Sequence, residues 1–268
     1  MTFFEAIILG AVQGLTEFLP ISSSGHLVLF QNLLGLESSS IAFEVFVHLG
    51  TLLSIVAIYY NDLGKIIGSF FSGLASGRVR ARYADDHYFR LGIFLIIGTI
   101  PAVFAGLFCK DFIESIFHNI HLVGITLIIT GIILALTHLK KIGRRSLGPA
   151  NSLVIGLAQM LAILPGISRS GTTISTGLFL GIPRDEAARF SFLLAVPAIL
   201  GAAILESADL FSGGLQFSWH LLAIGLIVSF IVGFLAIRFL LKVLRSGKFA
   251  LFAPYCFIAG LIILLVLK

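Results

Sequence analysis

Charge is scarce in this sequence. Of 268 residues, 18 are Lys or Arg and 13 are Asp or Glu, so charged side chains make up 12%. A soluble domain carries roughly 25%, and a chain of this size with half that share is not built to face water. Cysteine is almost missing too. Cys109 and Cys256 have neither metal-ligand spacing nor partners close in sequence, which points away from a cysteine metal site and leaves packing or reducible thiols. The start, Met1-Thr2-Phe3-Phe4-Glu5, lacks a basic region, and no small-residue cleavage site follows, so it does not read as a removable signal peptide. A formal charge of +5 and a pI near 9.4 would suggest a nucleic-acid binder in a soluble protein. Here the basic residues sit in short connections between apolar runs, so no nucleic-acid partner is expected.

Apolar residues are what the chain has in excess: 58% of it is hydrophobic and the mean hydropathy is +1.07. A membrane-spanning helix needs about 20 mostly apolar residues, and six segments supply them, near 42–61, 90–108, 119–138, 187–206, 218–238 and 249–267. Two further stretches, about 3–34 and 152–181, are too long and too interrupted for one span. Each is broken near its middle, at Leu19-Pro20-Ile21-Ser22-Ser23-Ser24-Gly25 and at Leu164-Pro165-Gly166-Ile167-Ser168-Arg169-Ser170-Gly171. Irregular polar backbone survives at membrane depth only inside protein or beside a water-filled cavity. The expected fold is therefore all-α and integral to the membrane, with six transmembrane helices and two re-entrant helix–loop–helix hairpins.

Charge asymmetry and internal similarity then agree on the arrangement. Arg78, Arg80, Arg82 and Arg90 follow the first span, Lys140, Lys141, Arg144 and Arg145 follow the third, and Lys242, Arg245 and Lys248 precede the last. The other connections hold Lys110 beside Asp111 and Glu114, or Glu206 and Asp209. The positive-inside rule makes the three basic connections cytoplasmic, and counting spans from there brings the first hairpin in from outside and the second from the cytoplasm. At a constant spacing of 146, Gly10, Gln13, Leu15, Ile21, Ser22, Ser24 and Gly25 match Gly156, Gln159, Leu161, Ile167, Ser168, Ser170 and Gly171. Residues 1–145 and 146–268 thus read as two repeats of opposite topology in a single membrane domain, a plan whose binding site lies near the midplane between them.

Ionisable residues are costly in a bilayer, so those inside the apolar segments are the candidates for function. The first hairpin holds Glu17 and His26, with Gln13 one turn before Glu17 on the same helix face. The second holds Arg169 among Ser168, Ser170, Thr172 and Thr173, in front of a helix expected to begin near Thr172. A helix start and a guanidinium fork together favour an anion, phosphate above all. One hairpin offers acid–base or metal-ligand groups and the other an anion cradle. Ser22, Ser23 and Ser24 are each as well explained by helix capping as by nucleophilic work. Glu44 and His48 share a face of the first span, where a helix–helix hydrogen bond explains them as well as a catalytic role does. Arg184, Asp185, Glu186 and Arg189 start a helix at the border, and 62–90 reads as a solvated basic loop.

The run from Gln13-Gly14-Leu15-Thr16-Glu17-Phe18-Leu19-Pro20-Ile21 through Ser22-Ser23-Ser24-Gly25-His26 resembles the first signature of the bacterial undecaprenyl-diphosphate phosphatase family, the membrane phosphatases tied to bacitracin resistance. Pro165-Gly166-Ile167-Ser168-Arg169-Ser170-Gly171-Thr172-Thr173 resembles the second, and Phe190-Ser191-Phe192-Leu193-Leu194-Ala195-Val196-Pro197 also fits. This chain has the Gln variant at position 13, which binds but cannot act as a charged ligand. The resemblance implies hydrolysis of a polyprenyl diphosphate to the monophosphate, recycling the lipid carrier of cell-wall synthesis in the bacterial cytoplasmic membrane. It also implies a divalent cation, and it is compatible with a homodimer. In the mechanism expected on those terms, Mg²⁺ or Ca²⁺ bridges Glu17 and phosphate oxygens. Gln13, Ser22, Ser24, Ser168, Ser170, Thr172 and Thr173 contact substrate, and Arg169 stabilises charge. Ser23 attacks phosphorus with His26 as its base, or water attacks directly. A transporter or flippase of a phosphorylated polyprenyl lipid is the alternative from another class.

Overall fold

The computed structural model describes residues 1–35, 41–77, 79–108, 119–139, 143–213 and 219–266; the side chains of 32, 33, 41 and 206–213 are not described. Cys109, Lys110, Asp111, Glu114, Arg78, Lys140 and Lys141 lie outside those residues, and so do the side chains of Glu206 and Asp209. Among the described residues there are eleven α-helices and no strand. In chain order they are α1 (Phe3–Phe18), α2 (Ser23–Leu33), α3 (Ile41–Ala75), α4 (Val79–Asp85), α5 (His87–Phe108), α6 (Ile120–Leu136), α7 (Pro149–Leu161), α8 (Arg169–Phe179), α9 (Arg184–Gly213), α10 (Trp219–Arg245) and α11 (Ala253–Val266).

Among the described residues, six helical segments are long and apolar enough to cross a membrane: Ala42–Ala75, His87–Phe108, Ile120–Leu139, Arg184–Leu205, Trp219–Arg245 and Phe249–Val266. Their outward faces carry large apolar side chains such as Phe71, Phe104, Ile204 and Leu235, each more than half exposed. Such a surface would aggregate in water, whereas in lipid it costs nothing. The protein is a multi-pass membrane protein. Polar side chains are gathered inside it instead: Gln13, Glu17, Ser22, His26, Ser168, Ser170, Thr172, Thr173 and Ser191 are all buried.

Small residues set the helix spacing, as they do where lipid replaces water and only close contact holds helices together. A Cβ on Gly10 of α1 would stand 2.9 Å from the Gly225 carbonyl of α10, and one on Gly156 of α7 would stand 2.3 Å from that of Gly98 on α5. Between α6 and α11 the contact is reciprocal, Gly124 against the Gly260 carbonyl and Gly260 against that of Gly124.

The four helices of the broken stretches are short. At 1.5 Å per residue, α1 with 16 residues spans about 24 Å and α7 with 13 residues about 20 Å, less than the ~30 Å hydrocarbon core. The second stretch begins and ends on one face, where the Arg145 amide donates to the Gly181 carbonyl at 2.9 Å and the Leu147 amide to Glu186 at 3.3 Å. Other ties join the basic connections on that face: Arg189 grips Asp62 through two hydrogen bonds of 2.7 and 3.0 Å, and Arg245 pairs with Asp185 at 2.8 Å.

The region 62–90 departs from the expected loop. Helix α3 runs on to Ala75 through a kink at Tyr59 (φ −110°, ψ 22°), and α4 follows at once. Apolar residues explain the extension, since Ile66 is buried in a cluster with Leu91, Phe94 and Leu95 of α5. Asp86 caps α5, accepting from the Tyr88 and Phe89 amides at 2.9 and 3.1 Å. The Ser69 hydroxyl bonded to it holds its carboxyl below the usual carboxylate range. Arg189, the one of the four border residues that solvation alone is not expected to explain, is fixed by Asp62.

Close helix approach gives a stability test. Gly156→Ala should lower the melting temperature in detergent, at a cost of about 1–3 kcal/mol for overpacking. Gly106→Ala, where a Cβ meets nothing within 4 Å, should melt like the parent. Equal melting of both variants would mean that the Gly98–Gly156 crossing does not set the spacing.

Candidate active site

The two breaks in the chain meet inside the molecule. Glu17 stands in the last turn of α1, and Arg169 is the first residue of α8. The guanidinium Nη2 donates to Glu17 Oε1 at 2.7 Å, with side-chain exposures of 13% and 7%. Ser170 Oγ donates to the Leu19 carbonyl at 3.3 Å. Glu17 Oε2 accepts two more hydrogen bonds, from Ser23 Oγ at 2.6 Å and from Gln13 Nε2 at 3.0 Å. The carboxylate is therefore the hub of the site, joining both halves of the chain.

Between α1 and α2 the backbone turns through Ser22, whose φ of +70° costs a non-glycine residue about 1–2 kcal/mol. That turn brings Ser22 Oγ within 3.4 Å of the Gly25 amide and 3.3 Å of Ser24 Oγ. It also aims the Ser22 carbonyl at His26 Nδ1, 2.7 Å away. A carbonyl only accepts, so Nδ1 carries the hydrogen. The other ring nitrogen, Nε2, meets the Tyr255 hydroxyl of α11 at 2.6 Å, and the two rings stack 5.6 Å apart. Both nitrogens of His26 are thus engaged, and neither bonds Ser23. The expected Ser23–His26 pairing is not made; Ser23 is paired with Glu17 instead.

The second tip is held by threonines of α6. Thr126 Oγ1 donates to the Pro165 carbonyl at 2.6 Å. Thr130 Oγ1 donates to that of Gly166 at 3.0 Å and accepts from the Ser168 amide at 3.1 Å. Gly166 has φ +88°, and a Cβ there would stand 2.0 Å from Thr126 Oγ1, so only glycine fits. Ser168 is the N-cap, its Oγ accepting from the Gly171 amide at 3.1 Å, and α8 starts at Arg169, three residues before the expected position. Thr172 Oγ1 donates to the Ser168 carbonyl and Thr173 Oγ1 to that of Arg169, while Thr173 Oγ1 and Ser191 Oγ lie 2.6 Å apart. These hydroxyls shape the tip. Arg169 and the positive end of α8 are its anion-attracting parts.

Tyr255, Thr126 and Thr130 were not singled out from the sequence, and Ser191 entered only within the run Phe190–Pro197, with no role attached. A lone Thr or Tyr in an apolar span carries no periodic or motif signal, and the partners of these four are 18 to 229 positions away. Cys256 is structural: it is buried and its Sγ donates to the Pro20 carbonyl at 3.5 Å.

With that geometry in view, the comparisons are specific. The profile described as "Bacitracin resistance protein BacA" matches residues 6–262. The chain belongs to that family. It is 42% identical over 262 residues to a protein of Desulfosudis oleivorans named undecaprenyl-diphosphatase, covering 96% of this chain and 95% of the relative. Proteins of the same name from Halothermothrix orenii (42% over 269 residues, 99% and 98% covered) and Korarchaeum cryptofilum (44% over 264 residues, 98% and 99% covered) are equally similar. The BacA profile includes both tips and the α6 threonines.

Thr130→Val keeps the shape but strands the Gly166 carbonyl and the Ser168 amide, each buried unpaired group costing about 1–3 kcal/mol. Phosphate release by the folded variant should fall by about tenfold or more, because small displacements of a positioning loop cost up to about 10² in rate. Unchanged turnover would show that α6 does not position Arg169.

Proposed function

We propose that this chain hydrolyses undecaprenyl diphosphate to undecaprenyl phosphate and phosphate at the Glu17–Arg169 junction. The observation that carries the reading is that junction itself: a carboxylate bonded at once to a hydroxyl nucleophile candidate and to a guanidinium at a helix start. The BacA relatives carry the name of that activity. They do not favour the transporter or flippase alternative.

In the proposed reaction the Ser23 hydroxyl attacks the terminal phosphorus and its proton passes to Glu17 Oε2, 2.6 Å away. The bond from that phosphorus to the bridging oxygen breaks, prenyl monophosphate leaves, and water releases phosphate from Ser23 in a second step. Water in place of Ser23 could give its proton to the same carboxylate, in a single displacement. Arg169 faces the charge that spreads over the phosphoryl oxygens, and positioning and electrostatics are most of what such transfer demands. His26, tied to Tyr255, would shape the first tip, with Ser22 and Ser24 beside it, and Ser168, Ser170, Thr172 and Thr173 would frame the second.

A divalent cation fits the residues present. Gln13 Oε1 is buried without a hydrogen-bond partner among the described residues, next to the Glu17 carboxylate, and hard cations take such oxygens. When bound, Mg²⁺ or Ca²⁺ would offset negative charge on the diphosphate. Among the described residues no three His, Cys, Asp or Glu side chains converge, so phosphate oxygens and water would complete the shell.

The same proposal takes the two broken stretches as re-entrant hairpins of an inverted repeat, residues 1–145 and 146–268. Matched contacts support it: α1 packs on α10 as α7 packs on α5, and α3 packs on α10 as α9 packs on α5. Gly10 and Gly156, paired by the spacing of 146, each lie against a glycine carbonyl in the equivalent crossing, Gly225 and Gly98. The basic face would look into the cytoplasm of a bacterial cell. A homodimer belongs to the proposal on family resemblance alone.

Phosphate release from long-chain prenyl diphosphate by purified protein should require a divalent cation. Arg169→Ala should lower it by about 10²–10³, the cost of one donor to a developing oxyanion, about 3–4 kcal/mol, and Glu17→Ala should abolish it. Near-normal turnover in folded Arg169→Ala would remove the site from this junction. Ser23→Ala separates the two routes, since loss of activity favours covalent attack and full activity leaves only water.

A further inference from the structure

His48 has no part in the reaction described above, yet it faces its centre. It sits on α3 with Nδ1 2.8 Å from the Glu44 carbonyl. Because a carbonyl accepts and does not donate, Nδ1 holds the hydrogen and Nε2 of the neutral ring keeps a lone pair. Nε2 lies 4.0 Å from Glu17 Oε2. Two acceptors turned toward each other repel unless something positive lies between them. A proton on Nε2 would draw the pair to a charge-assisted bond of about 2.8 Å. Metal bonds of about 2.1 Å on each side span separations up to about 4.2 Å, which covers the observed gap.

A second observation points to the same place. Gln13 is fully buried, its Nε2 donates to this same Glu17 Oε2 at 3.0 Å, and its Oε1 has no partner among the described residues. Glu17 Oε2 already accepts two hydrogen bonds, so an ion arriving there displaces one of them. A half-turn of the Gln13 amide removes its N–H from Oε2 and presents Oε1 to the ion in its place. We infer that Gln13 Oε1, Glu17 Oε2 and His48 Nε2 are three ligands of one divalent cation, bridging α1 and α3. The inference rests on the metal-dependent reading above and adds a nitrogen ligand to it. An imidazole ligand favours first-row transition ions over Ca²⁺ and Mg²⁺, and Mn²⁺, the hardest of them and a taker of the same oxygen ligands as Mg²⁺, is paramagnetic.

Mn²⁺ is then the probe, added to the purified full chain in detergent with inorganic phosphate and followed by electron paramagnetic resonance. The parent protein should bind Mn²⁺ and show nitrogen-14 modulation of its electron spin echo, the mark of a directly bound imidazole. His48→Gln should lose that modulation and bind Mn²⁺ at least tenfold more weakly, whereas His26→Gln should keep both. Modulation that persists in His48→Gln, or is missing from the Mn²⁺-loaded parent, overturns the assignment of His48. If that happens while phosphate release stays metal-dependent, the proposed function stands without this ligand. If the parent neither binds Mn²⁺ nor needs a cation for release, the metal-dependent reading fails and this inference fails with it.

Discussion

The ion pair between Glu17 and Arg169 is the constraint around which the rest is arranged. A charge inside a membrane protein is tolerated when it is paired and its remaining hydrogen-bonding capacity is met. Glu17 meets that condition with Arg169, Ser23 and Gln13, and Arg169 by reaching Glu17 across the junction. Separating the tips would leave two charges in apolar surroundings, so the pair ties the two halves of the chain together at the place where chemistry is proposed. The same carboxylate serves structure and reaction, because a group that pins a nucleophile's hydroxyl at 2.6 Å is also placed to take its proton.

Everything around the pair keeps the tips in register. The Ser22 turn, strained at φ +70°, directs Ser23 to the carboxylate and His26 away from it. Two threonines of α6 hold the Pro165–Ser168 backbone, so the start of α8 is fixed by a helix from the other half of the sequence. Close glycine crossings let α1 and α7 sit deep against α10 and α5, which brings short helices to the molecular interior. Packing and polar satisfaction reinforce each other here, since the helices approach closely only where side chains are small, and the polar groups pair only because the helices approach.

Much of this was legible beforehand. The six spans, the two breaks, and Glu17 and Arg169 as facing groups follow from composition, run length and the cost of charge in lipid. Those are local or additive properties, and a one-dimensional reading captures them. Helix α8 starts three residues ahead of the expected Thr172 because Ser168 caps it, and the expected loop 62–90 is helical as far as Ala75 because an apolar face with Ile66 is buried against α5. The pairing of Ser23 with His26 rested on their spacing of three. The left-handed turn at Ser22 and the Tyr255 hydroxyl, 229 positions on, turn the ring elsewhere.

By itself, then, the sequence determined that the chain belongs in a membrane, where it is interrupted, and which charged residues must find partners. Only the tertiary structure decided who those partners are: Ser23 for Glu17, Tyr255 for His26, Thr130 for the loop before Arg169, and His48 opposite the carboxylate. The physical reason is one of range. Hydropathy and helix breaking act within a few residues, while hydrogen-bond partners are chosen by rotamers, turns and helix crossings, whether the positions are 6 residues apart, as for Ser23 and Glu17, or 229, as for His26 and Tyr255.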